Sequence, residues 1–196
     1  MDGLHLVTSS PFGRDVISEF NGSDADQGYD LRTLGDPSRW PRSRAQIVIT
    51  DREEPEAFEL CDTVSRGLAR PWLPVVLESR SIRIGPFIGP GTACYQCFVK
   101  RQLQHGRRTD VDLLLERHGA QPRSTAYLPA HAKQAALLIK SILRANLDSS
   151  EKHQLDLVRV GLSEVSLSKG VVISIDGCRR CGSPRSFRDT STFPAM

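Results

Sequence analysis

Long hydrophobic runs are missing from this sequence. No apolar stretch approaches the roughly 18 residues that cross a bilayer, and the N-terminus, MDGLHLVTSS, lacks the basic head and apolar core of a secretory signal. These absences predict a cytoplasmic protein with no membrane partner. An excess of one charge is missing too: 26 Lys and Arg stand against 23 Asp and Glu, for a net charge of +3. A nucleic-acid binder concentrates basic charge on one face or stripe. The local pairs Arg107 with Arg108 and Arg179 with Arg180 read instead as solvated surface, and no nucleic-acid partner is expected. The five histidines, His5, His105, His118, His131 and His153, are scattered, and none stands at a useful spacing from an acid or a nucleophile.

Cysteine is scarce, and its placement is informative. Five thiols in a reducing compartment do not make a disulfide framework. Four of them fall into two C-x-x-C pairs, Cys94 with Cys97 and Cys178 with Cys181, leaving Cys61 alone. One such pair by itself reads equally as chance or as a redox motif. Two pairs, the second flanked by Gly177 and Gly182, point to one zinc ion per chain, because thiolates two residues apart turn inward onto a tetrahedral ion. With four sulfur ligands no position is left for substrate or activated water, so the zinc is structural. The ligands lie far apart in the chain, which makes the site a clip between the C-terminal end and the middle of the fold.

Several short apolar runs are present. Residues 4–8 (LHLVT), 45–50 (AQIVIT) and 71–77 (PWLPVVL) read as buried strands, with 81–88 returning as a hairpin partner and 29–34 as an edge strand. Helical spacing marks residues 14–20, a helix opened by Pro55 with Ala57, Leu60, Cys61, Val64 and Leu68 on its apolar face, and residues 94–104 and 110–118. The longest helix covers residues 130–147, with Ala135, Leu138, Ile139, Ile142 and Leu143 on one side. Residues 155–160 and 171–175 are rich in β-formers. Residues 21–27 and 35–44 read as loops. Alternating strands and helices at the front predict an α/β fold with parallel strands, followed by a β-rich C-terminal part.

The run from Ile84 through Gly85-Pro86, Pro90-Gly91 and Cys94-Tyr95-Gln96-Cys97 resembles the G-P-x-x-x-P-G-x-x-x-C-x-x-C segment of ThiF-like proteins from peptide-heterocycle biosynthesis. Cys178-Arg179-Arg180-Cys181-Gly182 is similar to that family's second zinc knuckle, and the resemblance spans roughly residues 45 to 182. It implies a Rossmann-like ThiF-type sheet with helices and a β-rich C-terminal part clipped by the four-cysteine zinc site. Residues 1–182 would form a single domain and residues 183–196 a mobile tail. It further implies a partner protein of a YcaO-type cyclodehydratase, acting on a precursor peptide in thiazole/oxazole-modified (TOMM, bacteriocin-type) peptide biosynthesis. Relatives pair, so a homodimer is expected.

Two departures qualify that resemblance. Adenylating relatives cradle phosphates on a glycine-rich turn after the first strand. Here the turn is Thr8-Ser9-Ser10-Pro11-Phe12-Gly13, with one glycine, a proline that lacks an N–H donor, and a bulky Phe12. Asp51 matches the position of the acidic magnesium-binding residue of adenylating relatives, but a lone Asp at a strand end reads first as a helix cap or a solvated residue. The family's leader-binding module is also not seen ahead of Leu4, so leader recognition is expected from a separate protein or a different surface. The expected function is therefore a non-catalytic scaffold with no catalytic or nucleotide-binding residues of its own. The alternative is an ATP-dependent adenylating enzyme that activates a peptide or carrier-protein carboxylate. Trp40, in a loop with three arginines, and the arginines after Cys181 are the candidate contact surfaces, with Trp40 reading equally as a cover for the core.

Overall fold

Three runs without a charged residue, LHLVT, AQIVIT and WLPVVL, form strands β1 (Leu4–Thr8), β2 (Ala45–Thr50) and β3 (Trp72–Leu77), each buried along its whole length. Such continuous burial belongs to strands covered on both faces, and β1, β2 and β3 pair in parallel as that rule requires. β4 (Ser81–Ile84), β5 (Leu157–Gly161) and β6 (Leu167–Gly170) then add antiparallel, so the six strands lie in chain order in one mixed sheet. Helices α1 (Pro11–Ser18), α2 (Pro55–Gly67), α3 (Tyr95–Gln104) and α4 (Pro129–Leu143) cover it. This computed structural model describes residues 3–20, 29–106, 126–148, 156–164 and 166–181. The helix expected at 110–118, the loop at 21–27 and the tail at 183–196 lie outside them.

The pleat sends alternate side chains to opposite faces, and each face has its own core. Leu6, Ile47, Ile49 and Val75 meet Phe12 and Val16 of α1 and Ile139 and Ile142 of α4 on one side. Val7, Val48, Trp72 and Val76 meet Phe58 and Cys61 of α2 and Tyr95 and Phe98 of α3 on the other. A glycine is required where β4 leaves the sheet: Gly85 has φ +105°, and a Cβ there would stand 2.1 Å from the Asp156 carbonyl oxygen.

The structure corrects four sequence expectations, each for a local reason. Tyr29 makes a single parallel bridge to Val7, and the chain then turns into a 3-10 helix, Leu31–Gly35, because the Asp30 carboxylate takes the Arg32 N–H at 2.8 Å. α1 begins at Pro11, three residues early, because the Ser10 hydroxyl caps it. α2 is rotated from its expected face: Phe58, Cys61, Asp62 and Ser65 are buried, and Leu68 is 55% exposed. Phe58 wins its place by stacking between Trp72 and Tyr95, with ring centroids 5.8 and 5.6 Å away. Residues 171–175 join no ladder, whereas the polar run Leu167–Gly170 does, as β6.

The second face also buries charge. Arg83 of β4 is wholly buried beside its cross-strand neighbour Arg159. Glu78 accepts from both, at 3.1 and 3.2 Å, and Glu53 pairs with Arg83 and accepts from the Tyr95 hydroxyl at 2.6 Å. Burial works against ionising Glu78, but the two guanidiniums outweigh it and hold the carboxyl below its usual range. Arg83 also lies 4.8 Å above the Phe98 ring, which ties α3 to the sheet.

Two outcomes are expected. Arg83→Met should cost about 3–5 kcal/mol in denaturant unfolding, because it removes a wholly buried guanidinium that pairs with both Glu53 and Glu78. His5 is buried against Tyr29 and Trp40, and burial, with Arg70 adding to it, holds the imidazole at about 4. The unfolded chain then binds a proton that the fold refuses between about pH 6.5 and pH 4. Stability should therefore be complete above that window and fall by about 3 kcal/mol across it. His5→Phe should flatten that fall in pH-dependent melts.

Candidate metal centre

The site begins where β4's outgoing loop meets α3. Cys94 is the N-cap residue of α3 and Cys97 lies in its first turn, so both thiols sit at the end of the helix that favours negative charge. The other pair comes from the far end of the described chain. There Gly177, at φ +66°, turns the backbone, and the Cys178 N–H returns to the Ile175 carbonyl at 3.1 Å. A side chain is disfavoured at that φ, and glycine carries no such penalty.

The turn brings all four sulfurs within 4.8 Å of one another. Cys94 and Cys178 are 3.7 Å apart at sulfur, and Cys97 and Cys181 are 3.5 Å apart. Sulfurs held about 2.3 Å from a tetrahedral ion stand about 3.8 Å from one another, so the donor set fits such an ion. The backbone completes the cradle. The Cys94 N–H points to Cys181 Sγ and the Ile175 N–H to Cys97 Sγ, each at 3.3 Å. Burial pushes the Cys94 thiol up, and Cys181 up to about 11. At Cys178 burial also opposes ionisation, but the N–H groups of Arg180 and Cys181 outweigh it and bring the thiol to about 6.

Cys178 and Cys181 are tied down by residues the sequence reading passed over. Arg180 pairs with Glu59 of α2 and reaches Asp62 at 3.4 Å, while Arg66 holds the other Asp62 oxygen at 3.1 Å. Arg101 of α3 donates to the carbonyls of Ile173 and Ser174 at 3.3 and 3.4 Å. These contacts use the backbone groups that a strand at 171–175 would have needed. The only signal in the sequence was the arginine pair inside the second C-x-x-C, with acids three residues apart on α2.

The other candidate residues do not assemble with the cluster. Cys61 is wholly buried, and burial, with Asp62 adding to it, pushes its thiol up and keeps it unreactive. Trp40 is only 8% exposed and packs over His5, so its ring covers the core and offers no open contact surface. Asp51 stands half-buried at the end of β2. The turn after β1 is closed on itself: the Ser10 N–H goes to Thr8 Oγ1 at 3.1 Å and the Gly13 N–H to Ser10 Oγ at 3.0 Å. Phe12 is fully buried, with its ring centroid 5.1 Å from that of Tyr127. A Cβ on Gly13 would meet Thr8 Oγ1 at 1.9 Å, so this glycine packs the helix closely onto the strand.

No protein-family profile matches the chain, and no curated protein does. Solved structures do. A heterocyclase in complex with substrate and cofactor superimposes over 98% of this chain with a TM-score of 0.66 and 17% identity. The Escherichia coli microcin synthetase McbBCD complex matches 90% of the chain, at 0.66 and 16%. E. coli MccB matches 91%, at 0.58 and 14%. The chain shares their fold. It spans 27% of the heterocyclase chain, 67% of the microcin synthetase chain and 65% of MccB. Such identities carry architecture and not chemistry, because one fold serves many activities.

The cluster predicts a spectroscopic outcome. Protein loaded with cobalt(II) should show intense thiolate-to-metal charge transfer and tetrahedral ligand-field bands at one equivalent per chain. Cys178→Ser should weaken both and lower affinity, since one of four sulfurs is lost. A wild-type spectrum with octahedral ligand-field bands would exclude the cluster as the site.

Proposed function

We propose that the chain is a ThiF-like partner subunit of a YcaO-type cyclodehydratase, and that it supports azoline formation on a ribosomal precursor peptide without performing the chemistry. One zinc ion on Cys94, Cys97, Cys178 and Cys181 would hold the C-terminal segment against α3 and serve no catalytic step. Residues 1–182 would act as one cytoplasmic unit, as a homodimer, with the leader peptide brought by a separate protein.

The observation that carries this reading is the closed turn after β1. The chain shares its fold with a heterocyclase and a microcin synthetase. Yet the N–H groups of Ser10 and Gly13, at the point where an α/β sheet would cradle phosphate, are already spent on Thr8 and Ser10. Pro11 has none to give, and Phe12 fills the space beneath. A sheet that keeps its shape while its phosphate turn is sealed supports a role in docking over one in adenylation. Arg179 and Arg180, beside Cys181, are exposed and offer a polar contact surface for such a partner. The arginines after Cys181 lie outside the described residues, and Trp40 is buried.

The test is reconstitution. Adding this chain to a YcaO-type enzyme and its precursor peptide should raise the heterocycle yield at least tenfold and retain the enzyme on affinity resin. Unchanged yield together with no co-purification would refute the scaffold. Calorimetry should show no ATP binding at millimolar nucleotide. Micromolar binding weakened by Asp51→Ala would support the adenylating alternative.

A further inference from the structure

Ser65, Arg66, Arg70, Arg180, Gly89 and Pro90 line a cavity of about 230 Å³ at the start of β3, at the edge of the sheet opposite the carboxyl ends of the parallel strands. Open α/β sheets take their nucleotides at the carboxyl ends, so this cavity is separate from the sealed phosphate turn. Nothing acidic lines it. Behind it stand two carboxylates, Glu59 and Asp62. Asp62 holds Arg66 on one oxygen and Arg180 on the other, and Glu59 pairs with Arg180. Three guanidiniums therefore face two carboxylates. Arg70 is the uncompensated one: it donates to the Pro41 carbonyl at 2.9 Å and has no carboxylate partner among the described residues.

A second observation points to a ligand. Ser65 is 2% exposed, and its Oγ has no hydrogen-bond partner in the described structure. A buried hydroxyl without a partner costs roughly 1–3 kcal/mol, and this one belongs to a residue on the cavity wall. Each guanidinium carries five N–H donors, so Arg66, Arg70 and Arg180 keep donors beyond the bonds given above. Their fork geometry suits the oxygens of a carboxylate or a phosphate. The cavity has room for such a group.

We infer that the cavity bounded by Ser65, Arg66, Arg70 and Arg180 is an oxyanion-binding site, taking a single phosphate or carboxylate group. Asp62 orients two of the arginines, Arg70 supplies the uncompensated charge, and the Ser65 hydroxyl fixes one oxygen. The inference stands apart from the scaffold role, since it needs no cyclodehydratase; it does rest on the four-cysteine cluster, which places Arg180 at the cavity wall.

Two probes separate the sources of the anion: inorganic phosphate in one arm and a short glutamate peptide in the other, each titrated by NMR into the full chain. Saturable 1:1 binding of either probe, shifting the amides of residues 65–70 and 88–90, is the expected result, and the tighter probe names the source. Arg70→Gln should weaken it about tenfold or more, because it removes a charge-assisted contact. Ser65→Ala leaves no partner stranded and should fold normally, with binding weakened several-fold. The exposed Arg80→Gln, away from the cavity, should change nothing. Absence of saturable binding by both probes would overturn the site. Wild-type affinity in both Arg70→Gln and Ser65→Ala, or an equal loss in Arg80→Gln, would overturn it as well.

Discussion

Four sulfurs within 4.8 Å of one another bring the end of the described chain against its middle. The segment after β6 has little else to keep it in place. Val171 and Ile173 are 49% and 59% exposed, and its apolar contacts are made by Ile175 with Ala93, Cys94 and Cys97 and by Val172 with these and with the core under α2 and α3. Its backbone groups go to a sulfur and to an arginine instead of a neighbouring strand. A short exposed segment cannot offset its own ordering entropy by burial. A shared metal ion can, because binding free energy becomes folding free energy when the site exists only in the folded chain. The position of the segment then fixes Arg180, whose pairs with Glu59 and Asp62 carry the constraint on to α2.

The sheet divides its labour between two faces. The face under α1 and α4 is an aliphatic core. The face under α2 and α3 mixes aromatic rings with buried charge, where Arg83, Arg159, Glu53 and Glu78 form one connected network. A network of this kind is weak evidence for net stability, since desolvation offsets much of the Coulomb energy. Its consequence here is geometric. It joins the loops after β2 and β3 to β4 and β5, and through Phe98 and Tyr95 it fixes α3, the helix that carries two of the four sulfurs. The sulfur cluster is thus anchored to α2 by Arg180 and to the sheet by Arg83.

Much of this was legible in the sequence, for physical reasons. β1, β2 and β3 are short, carry no charged residue and are mostly apolar, the pattern of strands covered on both faces. The sulfur cluster was legible because thiolates spaced two residues apart have few other uses in pairs. What escaped the sequence depended on contacts with distant residues. Arg83 stands in SIRI, which reads as a half-exposed strand, and its acids arrive from two separate loops. Asp62 and Ser65 lie on the buried face of α2 because Arg66 and Arg180 compensate the acid, and no periodicity of apolar residues announces that. β6 is polar because only one of its edges is paired. The run at 171–175 has β-forming side chains, but its backbone bonds go to Arg101 and to Cys97 Sγ.

The central claim is that one ion joins Cys94, Cys97, Cys178 and Cys181, and X-ray absorption fine structure at the metal edge of the purified chain tests it most directly. The account predicts zinc with a first shell of four sulfurs at about 2.3 Å and no nitrogen or oxygen. A shell of two sulfurs completed by light atoms would mean that the two C-x-x-C pairs do not share an ion, and the clip would have to be abandoned.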